Sequence, residues 1–408
     1  MFPFSPKIAN HSLIGASLLL FATAQCFSAD SKPDVPVSQP APATSGTGIA
    51  SIIQRFVDHH AIAGAVLLVA TKDKVLTFQA VGFSDLNTKK PMATDNLFEI
   101  ASMSKPIATT AVMMLVDEGK VHLDDPVEKY LPEFAGQMAI AEKDANHMVL
   151  KKPNQPLLVR HLLTHTSGIL YSGPLEKPSL DRLPLRMVIA QHAMLPLQFE
   201  PGSKFMYSNG GIATAARIVE VVSGEPYEKF LQDRLFTPLG MQDTTFWPTK
   251  AQLTRLAKCY KANTAGTGLV ESPLDYRFSF PLNDTVHRYA MPGIGLFSTA
   301  GDMLKFCRMY LNGGVYAGKR YLSTTSIALM TKRETPNNVK PSYGFGWSID
   351  PEGSYSHGGS FNTGMRIFPK LNLISIFMSQ CTSPMVKEGK KANPAFEAAV
   401  RKFALAPR

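Results

Sequence analysis

Ser102-Met103-Ser104-Lys105 opens a segment whose apolar residues, Ile107, Val112, Met113, Leu115 and Val116, recur at helical spacing. Pro106 suits a first helical turn, where its missing N–H costs nothing, and Gly119 marks the end. Residues three apart share a helix face, so this S-x-x-K puts the Lys105 amine beside the Ser102 hydroxyl. A serine hydroxyl needs a base to become a nucleophile. Lys105 can serve only when neutral, which asks its pKa to fall by roughly three units, about 4 kcal/mol of differential environment. Burial in a cleft and a second cation are the two expected sources of that fall. The pattern occurs once in the chain, after two β-rich runs.

A second element is Glu200-Pro201-Gly202-Ser203-Lys204-Phe205-Met206-Tyr207-Ser208-Asn209. A loop tyrosine can pass a proton, and Asn209 can hydrogen-bond a substrate carbonyl and a lysine. The second Y-x-N, Tyr310-Leu311-Asn312, ends an amphipathic helix and reads as its cap. A third element is Ser356-His357-Gly358-Gly359-Ser360, between two strand-like runs. Its glycines let a ligand approach the backbone closely.

The elements that must carry these residues follow from periodicity. Ile52, Ile53, Phe56 and Val57 mark a first helix. Residues 65–70 and 75–80 read as a hairpin around Thr71-Lys72-Asp73-Lys74. The middle reads as helices at 157–163, 186–194, 211–222 and 227–236, with a polar hairpin-like stretch near 135–156 that has no clear period. Residues 302–311 read as a further helix. Strands are expected at 344–349, 354–357, 365–368 and 373–378, and a last helix at 395–405. The fold class is therefore α+β: an antiparallel sheet built from N- and C-terminal strands, flanked by helices, with a large, mostly helical insert at about 116–290. A cleft between sheet and insert is the natural place for a site.

The chain has 408 residues, 45% hydrophobic and 18% charged, which is ordinary globular composition. Lys7, the apolar run 13–24 and Ala22-Thr23-Ala24 read as a secretory signal over 1–24, with cleavage as late as 29 also open and a retained anchor as the alternative. Residues 25–48, rich in Pro, Ser, Ala and Thr, read as a flexible linker, and 49–408 as the folded domain. Four scattered cysteines, Cys26, Cys259, Cys307 and Cys381, allow at most one bridge. The net charge of +10 is spread in short runs without a nucleic-acid module. No metal, nucleotide or organic cofactor is expected.

Together, order, spacing and context resemble the serine β-lactamase and penicillin-binding-protein superfamily, closest to class C β-lactamases, D-peptidases and related esterases. Arg160-His161-Leu162-Leu163-Thr164-His165-Thr166-Ser167-Gly168, Pro238-Leu239-Gly240-Met241 and Gly295-Leu296-Phe297-Ser298-Thr299-Ala300-Gly301-Asp302 look like structural hallmarks of that superfamily. The resemblance implies that Ser102 forms an acyl-enzyme, with Lys105 and Tyr207 as base and acid. Which of the two deprotonates the serine stays open. It implies that Asn209 orients the substrate amide and Lys105, and that the Ser102 and Ser360 N–H groups form an oxyanion hole beside His357, Gly358 and Gly359. Ser104 is given no role beyond a polar helix residue, and His161 and His165 are read as helix-end packing rather than metal ligands. His357-Gly358-Gly359 stands where β-lactamases carry Lys-Thr-Gly, which weighs against efficient β-lactam hydrolysis. The implied function is an exported bacterial serine hydrolase, periplasmic or extracellular, cleaving an ester, amide or D-peptide bond of a small or cell-wall-derived substrate. The alternatives are a true class C-like β-lactamase and a penicillin- or envelope-ligand-binding protein without turnover. No nucleic-acid partner and no stable membrane span after signal cleavage are expected.

Overall fold

The computed structural model describes residues 47–405, apart from 178 and 275–277. The expected leader, all but the last two residues of the expected linker, and Cys26 lie outside the described residues. Thr47 and Gly48 already belong to the first helix, Thr47–Asp58. Among the described residues no helix is long and apolar enough to cross a membrane.

The interior strand Gly64–Ala70 is buried along its whole length. Its continuous run Ala65-Val66-Leu67-Leu68-Val69-Ala70 has no polar side to offer water, so both faces must be covered. It pairs antiparallel with Val75–Asp85 on one side and Leu373–Met378 on the other, with Val66 opposite Met378 and Leu68 opposite Ile376. The seven-stranded sheet runs Ser348–Ile349, Tyr355–Gly359, Thr363–Phe368, Leu373–Met378, Gly64–Ala70, Val75–Asp85, Lys90–Pro91. Both chain ends thus build one sheet.

Period-two alternation sorts the side chains between two layers. Ala65, Leu67, Val69 and Phe377 pack against Ile53 and Phe396 of the two terminal helices, Thr47–Asp58 and Ala392–Leu405. Val66, Leu68, Ile376 and Met378 share the larger core with helices Ser104–Asp117 and Ala300–Leu311. Ser104–Asp117 is buried from residue 104 to 115, its polar Ser104, Lys105, Thr109 and Thr110 included. It lies between the sheet and the helical insert, packing there on helix Asn209–Ser223.

The insert is mostly helical but carries two ribbons, Ala139–Lys143 with Met148–Lys151 and Tyr260–Ala262 with Leu269–Glu271. One expected strand is shorter than its pattern: residues 344–347 are not a strand, and only Ser348–Ile349 pairs. Gly346, in the left-handed region at φ 81°, breaks the run while Phe345 and Trp347 enter the core. Cys259, Cys307 and Cys381 are buried.

Candidate active site

The Ser102 turn is built by contacts far apart in sequence. Phe98–Glu99 pairs with Phe297–Ser298, and the Ile100 amide donates to the Leu296 carbonyl at 3.0 Å. Ala101 follows at φ 43°, an uncomfortable value for alanine. Residues Ala101–Met103 form a 3₁₀ turn that runs straight into helix Ser104–Asp117. In a 3₁₀ turn, positions three apart eclipse. Lys105 Nζ accordingly lies 3.1 Å from Ser102 Oγ. Ser104, assigned no role from sequence, is fully buried: its hydroxyl donates to the Ala101 carbonyl at 2.6 Å and accepts the Leu296 amide at 3.3 Å, bracing the turn.

Lys105 is completely buried, and desolvation holds its amine well below the ordinary lysine range. No second cation contributes; burial alone supplies the fall. The amine donates to the Gly293 carbonyl at 2.8 Å and sits 4.5 Å from the centre of the Tyr207 ring. A neutral amine has two hydrogens and one lone pair. With one hydrogen on Gly293, the lone pair is free to face the Ser102 hydroxyl.

Tyr207 lies in the loop before helix Asn209–Ser223, whose N-cap is Ser208, its Oγ accepting the Gly211 amide at 2.8 Å. Burial pushes the Tyr207 phenol up, opposed by a hydrogen bond with Ser102. Its proton is therefore held until a strong acceptor forms. Asn209 heads the same helix, and its Oδ1 is buried without a partner. A Cβ on Gly293 would stand 2.8 Å from that oxygen and 3.5 Å from Lys105 Nζ, so the close approach of this loop requires glycine. Sequence reasoning gave Asn209 to Lys105; the second partner of the amine is instead the Gly293 carbonyl.

The third element lies on strand Tyr355–Gly359, with His357 opposite Met365 and Gly359 opposite Thr363. A Cβ on Gly359 would meet the Ile100 carbonyl at 2.4 Å, so this glycine lets the strand end close on the Ser102 turn. Gly358 and Ser360 are exposed. His357 is buried with both nitrogens engaged: Nδ1 bonds the Gly358 carbonyl at 2.9 Å and Nε2 bonds the Tyr343 hydroxyl at 3.0 Å. A carbonyl only accepts, so Nδ1 carries the hydrogen and Nε2 takes the tyrosine O–H. Desolvation first, then Lys105, lowers the ring to about 3. His357 is neutral.

Comparison with known proteins matches residues 49–399 to the Beta-lactamase family model. The chain belongs to the beta-lactamase family. Penicillin-binding protein 4 of Amycolatopsis lactamdurans is 31% identical over 335 residues, covering 79% of this chain and 81% of that protein. Esterase EstB of Burkholderia gladioli is 33% identical over 198 residues, 45% of this chain and 47% of that protein. The solved structure of EstCE1, titled a hydrolase with promiscuous acyltransferase activity, superposes with a TM-score of 0.71 at 25% identity, covering 88% of this chain and all of that one.

Within this beta-lactamase fold the structure gathers Ser102, Lys105 and Tyr207 around one hydroxyl, with Asn209 on the adjoining helix. His357 joins through the ring of Tyr207, 6.3 Å away between centroids. Residues that sequence reasoning missed complete the walls. Gly293 and Tyr343 sit in loops without local pattern. Tyr171, half-exposed, stacks on Tyr207 at 6.5 Å, and its carbonyl accepts the Gly210 amide. The one available signal was chemical: a buried neutral lysine needs an acceptor for its hydrogens.

Proposed function

We propose that this protein is an exported serine hydrolase that transfers the acyl group of an ester, amide or D-peptide onto Ser102 and then to water. The observation that carries the reading is the fully buried Lys105 amine 3.1 Å from Ser102 Oγ, held low in pKa by desolvation alone. In the first half-reaction Oγ bonds the substrate carbonyl carbon while its proton moves to Lys105. The oxyanion is met by the N–H groups of Ser102 and Ser360. The carbon–leaving-group bond breaks as Tyr207 supplies the leaving group's proton, Lys105 returning its own through the shared contacts. Water then attacks the acyl carbon as its proton passes to Lys105, the carbon–Oγ bond breaks, and Lys105 returns that proton to Ser102 Oγ, freeing the acid and restoring the hydroxyl. Each oxyanion donor is worth about 3–4 kcal/mol in related acyl transfers.

Among substrates, esters with an uncharged group at His357 fit best. A neutral ring whose nitrogens are already bonded offers no permanent charge to a carboxylate. That ranks β-lactam hydrolysis, where a lysine would stand at this place, below ester cleavage. An esterase and a penicillin-binding protein among the relatives agree with acyl transfer as the shared chemistry.

The test is intact-mass spectrometry of wild type and Ser102→Ala after incubation with a fluorophosphonate probe, a p-nitrophenyl ester and nitrocefin, with absorbance followed in parallel. An adduct on wild type alone, with ester turnover faster than nitrocefin turnover, is expected. An adduct without turnover would make this a ligand-binding protein; no adduct on either protein would end the acyl-enzyme reading.

A further inference from the structure

His165 follows the short helix Val159–Leu163 and stands in the left-handed region at φ 59°. Its side chain is fully buried. It holds the Tyr207 loop at two points. Its carbonyl accepts the Met206 amide at 2.9 Å, and its Nδ1 accepts the Ser208 amide at 3.2 Å. These are the two amides that flank Tyr207. The imidazole then packs on the Tyr207 ring, with centroids 4.4 Å apart, and on Tyr343 at 5.0 Å.

Because Nδ1 accepts, the neutral ring carries its hydrogen on Nε2, and that buried atom has no partner. A buried unpaired donor is a cost in stability. An apolar ring would avoid it but could not take the Ser208 amide. The neighbouring histidine differs: His161 Nδ1 accepts the Leu158 amide of its own turn at 3.1 Å.

We infer that His165 is a positioning residue for Tyr207, fixing the tyrosine's place beside Lys105 and Ser102 through both flanking amides and its ring face. The inference rests on the acyl-enzyme reading above, in which Tyr207 moves a proton. Two substitutions tolerate the left-handed backbone. His165→Gly removes both the Nδ1 acceptor and the ring. His165→Asn removes the ring but keeps an oxygen where Nδ1 stood.

The experiment measures p-nitrophenyl ester hydrolysis by wild type, His165→Gly and His165→Asn, each also combined with Tyr207→Phe, with rates normalised to Ser102 labelled by the fluorophosphonate. His165→Gly should lower kcat by about 100-fold with KM within about threefold, the size of loss expected from a misplaced proton-transfer group. His165→Asn should recover to within about fivefold of wild type, and in the Tyr207→Phe background the glycine substitution should cost less than about threefold. An undiminished loss in Tyr207→Phe, or a lowered Tm with unchanged kcat in His165→Gly, would overturn the inference. Wild type that neither labels nor turns over would instead overturn the acyl-enzyme reading itself.

Discussion

The Gly293 carbonyl accepts a hydrogen bond from Lys105 Nζ at 2.8 Å, across 188 positions of chain. This contact spends one amine hydrogen on the backbone and leaves the lone pair for Ser102. It also fixes which residue at 293 is tolerable, since a Cβ there would stand 2.8 Å from Asn209 Oδ1. Gly293→Ala should lower kcat by about 100-fold through a shift of the order of an ångström at Lys105. Steady-state kinetics with circular dichroism on the same sample check it; wild-type kcat in a folded alanine variant would contradict the assignment.

On the proposed mechanism, the depressed Lys105 pKa should set the acid limb of activity. With the neutral amine as the proposed working form, kcat/KM should rise with pH through that lowered value and level off before the ordinary lysine range. Lys105→Arg places a permanent cation there and should reduce ester turnover by about 1000-fold or more. A pH–rate profile from 5 to 10 on wild type distinguishes this from a limb set elsewhere.

His357→Lys should change preference more than rate. A cation at this strand gains a charge-assisted bond to an acidic substrate, about 1.5 kcal/mol or more, hence about tenfold in relative kcat/KM for a carboxylate-bearing over a neutral p-nitrophenyl ester. Unchanged relative rates would remove His357 from substrate recognition.

Acid should destabilise the fold before it protonates many carboxylates. His357 is lowered to about 3 and His161 to about 4, both chiefly by burial. Between those values and the unfolded value of about 6.5, the unfolded chain binds protons that the folded one refuses. Stability is therefore full above pH 6.5 and falls as pH drops, by about 1.4 kcal/mol per pH unit for each such histidine. Urea titrations at pH 7 and pH 5 should show the midpoint falling, and less so in His161→Gln.

A second buried contact makes a different demand. Asp181 and Arg288, both buried, lie 3.7 Å apart, and Asp181 also accepts the Ser279 amide and the Ser179 hydroxyl. The Arg288 guanidinium lies over the Phe278 ring at 4.4 Å and bonds the Leu282 carbonyl. Asp181→Ala removes the buried carboxylate that faces this guanidinium and should cost about 3–5 kcal/mol. Denaturant unfolding checks it, with a loss under about 1 kcal/mol counting against the pair.

What the sequence revealed divides along locality. The strand Leu373–Met378 matched its pattern because apolar residues fill both of its faces. The ribbon Ala139–Lys143 with Met148–Lys151 gave no period because Met148, Val149 and Leu150 are all exposed, leaving no inside and outside to alternate. Ser102 and Lys105 were legible because one turn brings them together. Gly293, Tyr343 and the clamp role of His165 were not, because each acts through a tertiary contact that no local spacing encodes. His357 was legible as a departure, but its neutrality rests on a Tyr343 hydroxyl 14 residues away and on burial.

Strand Gly64–Ala70 borders both Val75–Asp85, its neighbour in sequence, and Leu373–Met378, made some three hundred residues later. During synthesis the first hairpin therefore emerges with one open edge and waits for nearly the entire polypeptide before that edge is closed. Loop closure of this span makes sheet completion a late, slow event, and the emerging chain carries an unpaired apolar edge throughout. The Ser102 turn, braced against residues 293–298, shares that timetable. Catalytic competence and the final stitch of the sheet should arrive together, so that a nascent chain released short of residue 373 would be both inactive and prone to pair with its own copies.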